Sequence, residues 1–117
     1  MMLFSNTEAC PVRNILDRFS DKWTMLVILM LGEYKTMRFG EMIKVSGDIS
    51  QKMLTQSLRK LEADGLISRT VHPTVPPKVE YQLTDLGLDL LPLLHTIADW
   101  AYVHMTQIIK HRKEFKA

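Results

Sequence analysis

The residue types with most chemical potential lie between Ser50 and Lys60. On a helix, Met53, Leu54, Leu58 and Leu61 form one apolar stripe. Gln51, Lys52, Thr55, Gln56, Arg59 and Lys60 then fall on the remaining faces. Arg and Lys can pair with guanine edges or phosphates, Gln can donate and accept on adenine, and Thr can meet a thymine methyl. Ser50 is an N-cap candidate, and a helix N-terminus favours a phosphate oxygen. Arg38 precedes this segment, and Arg69 and Lys78 are expected at the two bases of a protruding loop beyond it. These ten residues are the candidate nucleic-acid contacts, with the helix over 50–64 in the major groove.

Charge placement fits that reading. The 117 residues carry a formal net charge of +2, too small to identify a polyanion partner by itself. Between 38 and 78, however, seven basic residues face four acidic ones, whereas 79–109 holds four acids and no Lys or Arg. The middle of the chain can meet a polyanion and the stretch after it cannot easily do so.

Other chemistry is sparse. Cys10 is the one cysteine, which excludes an internal disulfide and points to a reducing cytosol. It precedes Pro11 at an expected helix start, where unpaired amides and the helix dipole favour a thiolate. It is a candidate redox residue, or else a small apolar packing residue. The four histidines form no short metal-ligand pair, so neither metal nor cofactor is expected. There is no Gly-rich phosphate loop and no Cys-x-x-Cys pair, so an enzyme is not expected. The longest apolar run, 25–31, is far below the roughly twenty residues a spanning helix needs. The first ten residues lack the basic start and apolar stretch of a signal peptide.

The elements that must position these residues follow from periodicity. Val12, Ile15, Leu16 and Phe19 give a first helix after Cys10-Pro11. Ser20 is expected to cap a second, with Asp21 in its first turn, a stripe of Trp23, Leu26, Val27, Met30 and Leu31, and Gly32 at its end. A brief strand near Thr36–Phe39, a short helix over 40–45 and turn residues Ser46-Gly47-Asp48 come next. After Gly65 the period shifts from about 3.6 to 2, so 66–71 and 78–83 read as strands. Three prolines within 72–77 exclude ladder pairing there and leave a stiff tip. Thr84 caps a long last helix, over about 84–112, that Pro92 should kink. That helix has nearly two apolar stripes where one would suffice. Leu94, Ile97, Trp100, Ala101, Met105 and Ile108 are therefore expected to meet a second copy of the chain.

The order is a winged helix-turn-helix, mainly α with a small β-hairpin. The helix-turn-helix covers about 39–64, the wing hairpin about 66–83 with its tip at 72–78, and one domain spans 1–117. The chain also resembles a family. Cys10-Pro11, Lys22-Trp23-Thr24, Arg38-Phe39, Ile49-Ser50, Leu54-Thr55, Leu61-Glu62 with Asp64-Gly65-Leu66, Val75-Pro76-Pro77 with Val79-Glu80-Tyr81, and Leu83-Thr84 with Gly87 look like the HxlR-type winged-helix regulators of bacteria. One departure is Tyr34-Lys35-Thr36-Met37, where smaller residues and glycines are usual. The resemblance implies a cytoplasmic homodimer that regulates transcription, as repressor or activator, by binding an inverted-repeat operator in double-stranded DNA. It also implies that Cys10 sits where some members sense oxidants or electrophiles, so a small-molecule or oxidant effector is expected, and no membrane. The rival is a winged-helix protein-interaction module that binds no DNA, since fold alone does not fix function.

Overall fold

The computed structural model describes residues 10–116. The reading of the first residues as no signal peptide lies mostly outside them. Five helices and three strands follow in the order α1 (Pro11–Arg18), α2 (Lys22–Tyr34), β1 (Thr36–Met37), α3 (Phe39–Ser46), α4 (Gln51–Ala63), β2 (Ile67–His72), β3 (Lys78–Leu83) and α5 (Asp85–Glu114). The strands form one antiparallel sheet in the order β1-β3-β2. This is the expected mainly helical fold with a small sheet, in which β1 adds a third strand to the hairpin.

Helix α2 is the hub. Val27, Ile28 and Leu31 are buried against Met42 of α3, Leu54, Leu58 and Leu61 of α4, Ile67 of β2, Leu83 of β3 and Leu94 of α5. Its buried face is Thr24, Val27, Ile28, Leu31 and Gly32, about one position round from the expected stripe, and Leu26 is exposed. The helix start also differs by one residue. Asp21, not Ser20, is the N-cap, and its Oδ1 accepts from Trp23 N at 2.9 Å and Thr24 N at 3.0 Å. A carboxylate satisfies two of the orphan amides at once and suits the helix dipole.

Gly32 does not end α2. The helix runs on to Tyr34 and closes at Lys35, whose φ is 70°. A non-glycine residue takes the positive φ at the point where the chain departs from the family's usual glycines. Gly32 instead lets α5 approach, since a Cβ there would stand 2.6 Å from Leu91 Cδ2. Gly47, with φ 81°, makes the turn between α3 and α4, as the Ser46-Gly47-Asp48 chemistry predicts.

The caps at Ser50 and Thr84 are as expected. Ser50 Oγ accepts from Met53 N at 3.1 Å, and Thr84 Oγ1 accepts from Gly87 N at 3.2 Å. Helix α5 continues through Pro92 for 30 residues, about 45 Å at 1.5 Å per residue. Only Gly87 and Leu94 of this helix are buried. Leu94 was expected on a dimer surface, but it is 4% exposed and belongs to the protomer's own core. Ile97 and Trp100 stay more than half exposed, while Ala101, Met105 and Ile108 are half-buried. Helix α1 buries no residue, and Val12, Ile15 and Leu16 remain exposed.

Gly87 is where α5 meets the α4–β2 turn. A Cβ there would lie 2.1 Å from the Leu66 carbonyl oxygen, a backbone atom that cannot rotate away. Gly87→Ala is expected to destabilise the fold by about 2–3 kcal/mol, as overpacking does. Urea unfolding of the two proteins checks this, and equal midpoints would contradict the packing described.

Candidate nucleic-acid interface

Helix α4 is held on three sides. Leu54, Ser57, Leu58 and Leu61 are buried on its inner face. Ser50 caps its start, and its last turn is tied to the two N-terminal helices. There Arg18 of α1 donates from Nε and, at 2.8 Å, from Nη2 to the carboxylate of Asp64, the C-cap of α4. Lys60 Nζ lies 3.6 Å from Asp21 Oδ2, so the cap of α2 also anchors α4. Fixing these faces leaves Gln51, Lys52, Gln56 and Arg59 exposed to solvent on the outer side, with Thr55 half-buried.

Electrostatics record both ties. Burial pushes the Asp21 carboxyl up, but hydrogen bonds from Thr24 N, Thr24 Oγ1 and Trp23 N together with the Lys60 charge outweigh it, leaving it below its ordinary value of 3.8. The hydrogen bond to Asp64, against some desolvation and with added charge attraction, holds the Arg18 guanidinium above its usual range.

The wing places its expected contacts less evenly. Arg69 pairs in register with Tyr81, three residues inside the hairpin, and not at the base of the tip. The residue opposite Lys78 at that base is His72. Alternation along β2 and β3 puts Arg69 and Lys78 on opposite faces of the sheet. Arg69 turns toward α4. With Thr55, Arg59 and Tyr81 it lines a cleft of about 360 Å³ between α4 and the wing. Lys78 lies on the other face, where Glu80 Oε2 is 3.7 Å away and Glu80 Oε1 is 2.6 Å from His72 Nε2. Arg38 is the exposed N-cap residue of α3, and its N–H donates to Glu41 Oε1 at 2.8 Å.

Of the ten expected contacts, Gln51, Lys52, Thr55, Gln56, Arg59 and Arg69 thus share the surface of α4 and its cleft. The Lys60 ammonium turns back to Asp21, against the expectation of a free contact, because an anionic cap lies within reach of its long side chain. One residue of this surface is absent from the contacts expected from the sequence. Glu62 lines the cleft, and its spacing of three from Arg59 and seven from Thr55 on one helix could have revealed it. On the other face of the sheet, the pairing of Glu80 with His72 and Lys78 follows only from the strand register. Cys10 is the N-cap residue of α1 and is fully enclosed. Among the described residues no three His, Cys, Asp or Glu side chains group to hold a metal, and no helix is long and apolar enough to cross a membrane.

The HxlR-like helix-turn-helix family profile matches residues 18–109. The chain belongs to this family. It is 38% identical over 107 residues to the HTH-type transcriptional regulator YtfH of Escherichia coli (strain K12), covering 92% of this chain and 84% of that one. The solved transcriptional regulator ytfH from Salmonella typhimurium superposes with a TM-score of 0.81 at 37% identity, over 92% of this chain and 96% of that chain. The redox regulator HypR in its reduced form gives 0.79 at 36%, over 86% and 98%.

The Asp21 cap yields a signed expectation. Its folded pKa is lowered, so its contribution is fully present at neutral pH and is lost as pH falls below about 4 through the folded value. Asp21→Ala should lower stability by about 1 kcal/mol at pH 7. The gap from the parent should narrow toward pH 3 in urea titrations, and a gap that stays constant with pH would contradict the assignment.

Proposed function

We propose that this HxlR-family chain is a homodimeric, sequence-specific DNA-binding regulator of transcription that acts in the cytoplasm. The observation that carries this is the outer face of α4. Its apolar side is locked into the core, so Gln51, Lys52, Gln56 and Arg59 are presented together on a rigid element. Such a helix enters the major groove, with its N-terminal residues on base edges and the wing on the flanking backbone or minor groove. The cleft between Arg59 and Arg69 suits a backbone phosphate passing from helix to wing.

The dimer reading rests on what is left uncovered. Past Leu94, α5 carries exposed Ile97, Trp100 and Val103, and α1 carries exposed Ile15 and Leu16. Isolated helices are marginal in water without packing. A second copy related by a two-fold axis covers these faces and sets two α4 helices against an inverted-repeat operator.

A thiol response is a second reading, favoured by Cys10 at the N-cap of α1. This helix also carries Arg18, which holds the end of α4. Because Cys10 is enclosed, an oxidant reaches it only after the start of α1 opens. Such opening would loosen the Arg18–Asp64 tie.

Binding to a duplex selected from random sequence tests the reading. Arg59→Ala and Gln51→Ala should each weaken specific binding by roughly 1–3 kcal/mol, and Lys52→Ala should weaken all sequences alike and reduce the salt slope by about one. Parent-like binding by all three variants would refute the groove assignment, and a parent that selects and binds no duplex would favour a protein-interaction module. For the dimer, Ile97→Asp should shift the light-scattering mass down to the 13.5 kDa of one chain. A parent already at that mass would overturn the assembly.

A further inference from the structure

Three charged side chains share the cleft between α4 and the wing: Arg59 and Glu62 of α4, and Arg69 of β2. Phe39, Leu58 and the ring of Tyr81 supply its apolar walls. Walls of low dielectric concentrate the field of the charges between them. Two other acids near the end of α4 are already paired, Asp64 with Arg18 and Asp21 with Lys60. Glu62 is exposed and makes no ion pair with any described residue. It therefore stands in the cleft as an uncompensated negative charge beside two cations.

We propose that Glu62 is an affinity-limiting residue: its carboxylate repels the backbone phosphate that Arg59 and Arg69 attract, and so holds down binding to every duplex. The inference rests on the DNA-binding reading above. Two other roles for a carboxylate fit this placement poorly. Glu can accept from a cytosine amino group, but base edges meet the N-terminal residues of such a helix, and Glu62 is the next-to-last residue of α4. A carboxylate can also orient arginines, but that takes an ion pair, and Glu62 makes none with either. What is left is repulsion of a phosphate. Phosphates carry no base information directly, so the effect falls on selected and scrambled sequences alike. Salt screens exposed charges, so it is largest at low ionic strength.

Glu62→Gln keeps the shape and removes the charge. The full chain and this variant are titrated at low and at moderate salt with a selected duplex and with its scrambled counterpart. At low salt Glu62→Gln is expected to bind both duplexes about fivefold more tightly than the parent, the scale of one charge a few ångströms from a phosphate in a water-filled cleft. Its preference for the selected duplex should be unchanged, and its gain should shrink as salt rises. Glu62→Asp keeps the charge and should stay within about twofold of the parent. Glu33→Gln removes an acid of α2 outside the cleft and should leave both affinities within about twofold. Circular dichroism and unfolding midpoints confirm that each variant is folded. Equal or weaker binding by Glu62→Gln, a gain confined to one duplex, or a gain matched by Glu33→Gln would each overturn the proposal while the parent still binds DNA. A parent that binds neither duplex would overturn the DNA-binding reading and this inference with it.

Discussion

The architecture depends on burying one face of α4 against α2. Leu54, Leu58 and Leu61 meet Val27, Ile28 and Leu31, and that contact fixes which side chains of α4 remain outside. Apolar burial is worth roughly 25 cal/mol per Å² but has no direction of its own. Direction comes from the polar ties at the ends. Ser50 caps the start of α4, Lys60 reaches the Asp21 cap of α2, and Arg18 holds Asp64. Individually these surface pairs contribute little. Placed around a helix already held by its core face, they set its rotation and its end.

The same logic separates the two ends of α5. Up to Leu94 it is part of the core, with Gly87 against the Leu66 carbonyl and Leu91 over Gly32. Beyond Leu94 no residue of it is buried, and Ile97, Trp100 and Val103 stand exposed. The stretch from 79 to 109 holds four acids and no Lys or Arg, while the basic stretch from 38 to 78 holds α3, α4, β2 and the wing tip. One chain thus separates a surface suited to DNA from a surface suited to another protein copy.

Much of this is legible in the sequence because it rests on local rules. The helix period, the Ser50 and Thr84 caps, Pro11 at a helix start and the shift to period 2 after Gly65 each act over a few residues. What sequence reasoning misplaced depends on contacts distant along the chain. Gly32 looks like a helix end until Leu91 is seen against it. Leu94 fits a stripe expected to meet a second copy until the core claims it. Arg69 seems to flank the wing tip until the register pairs it with Tyr81. Lys60 reads as one more cation on the polar face of α4, yet its charge is turned to Asp21, 39 positions earlier in the chain. The Asp21 cap itself was missed by one residue because Ser and Asp are both good caps, and the two-amide geometry decides between them.

The central claim is that the outer face of α4 reads DNA sequence. The most direct measurement is competition between a selected duplex and its scrambled counterpart across a range of salt concentrations. The account predicts a log affinity that falls linearly with log salt for both duplexes and a preference for the selected one of at least about a thousandfold. Equal affinity for the two duplexes, or binding that ignores salt, would contradict it.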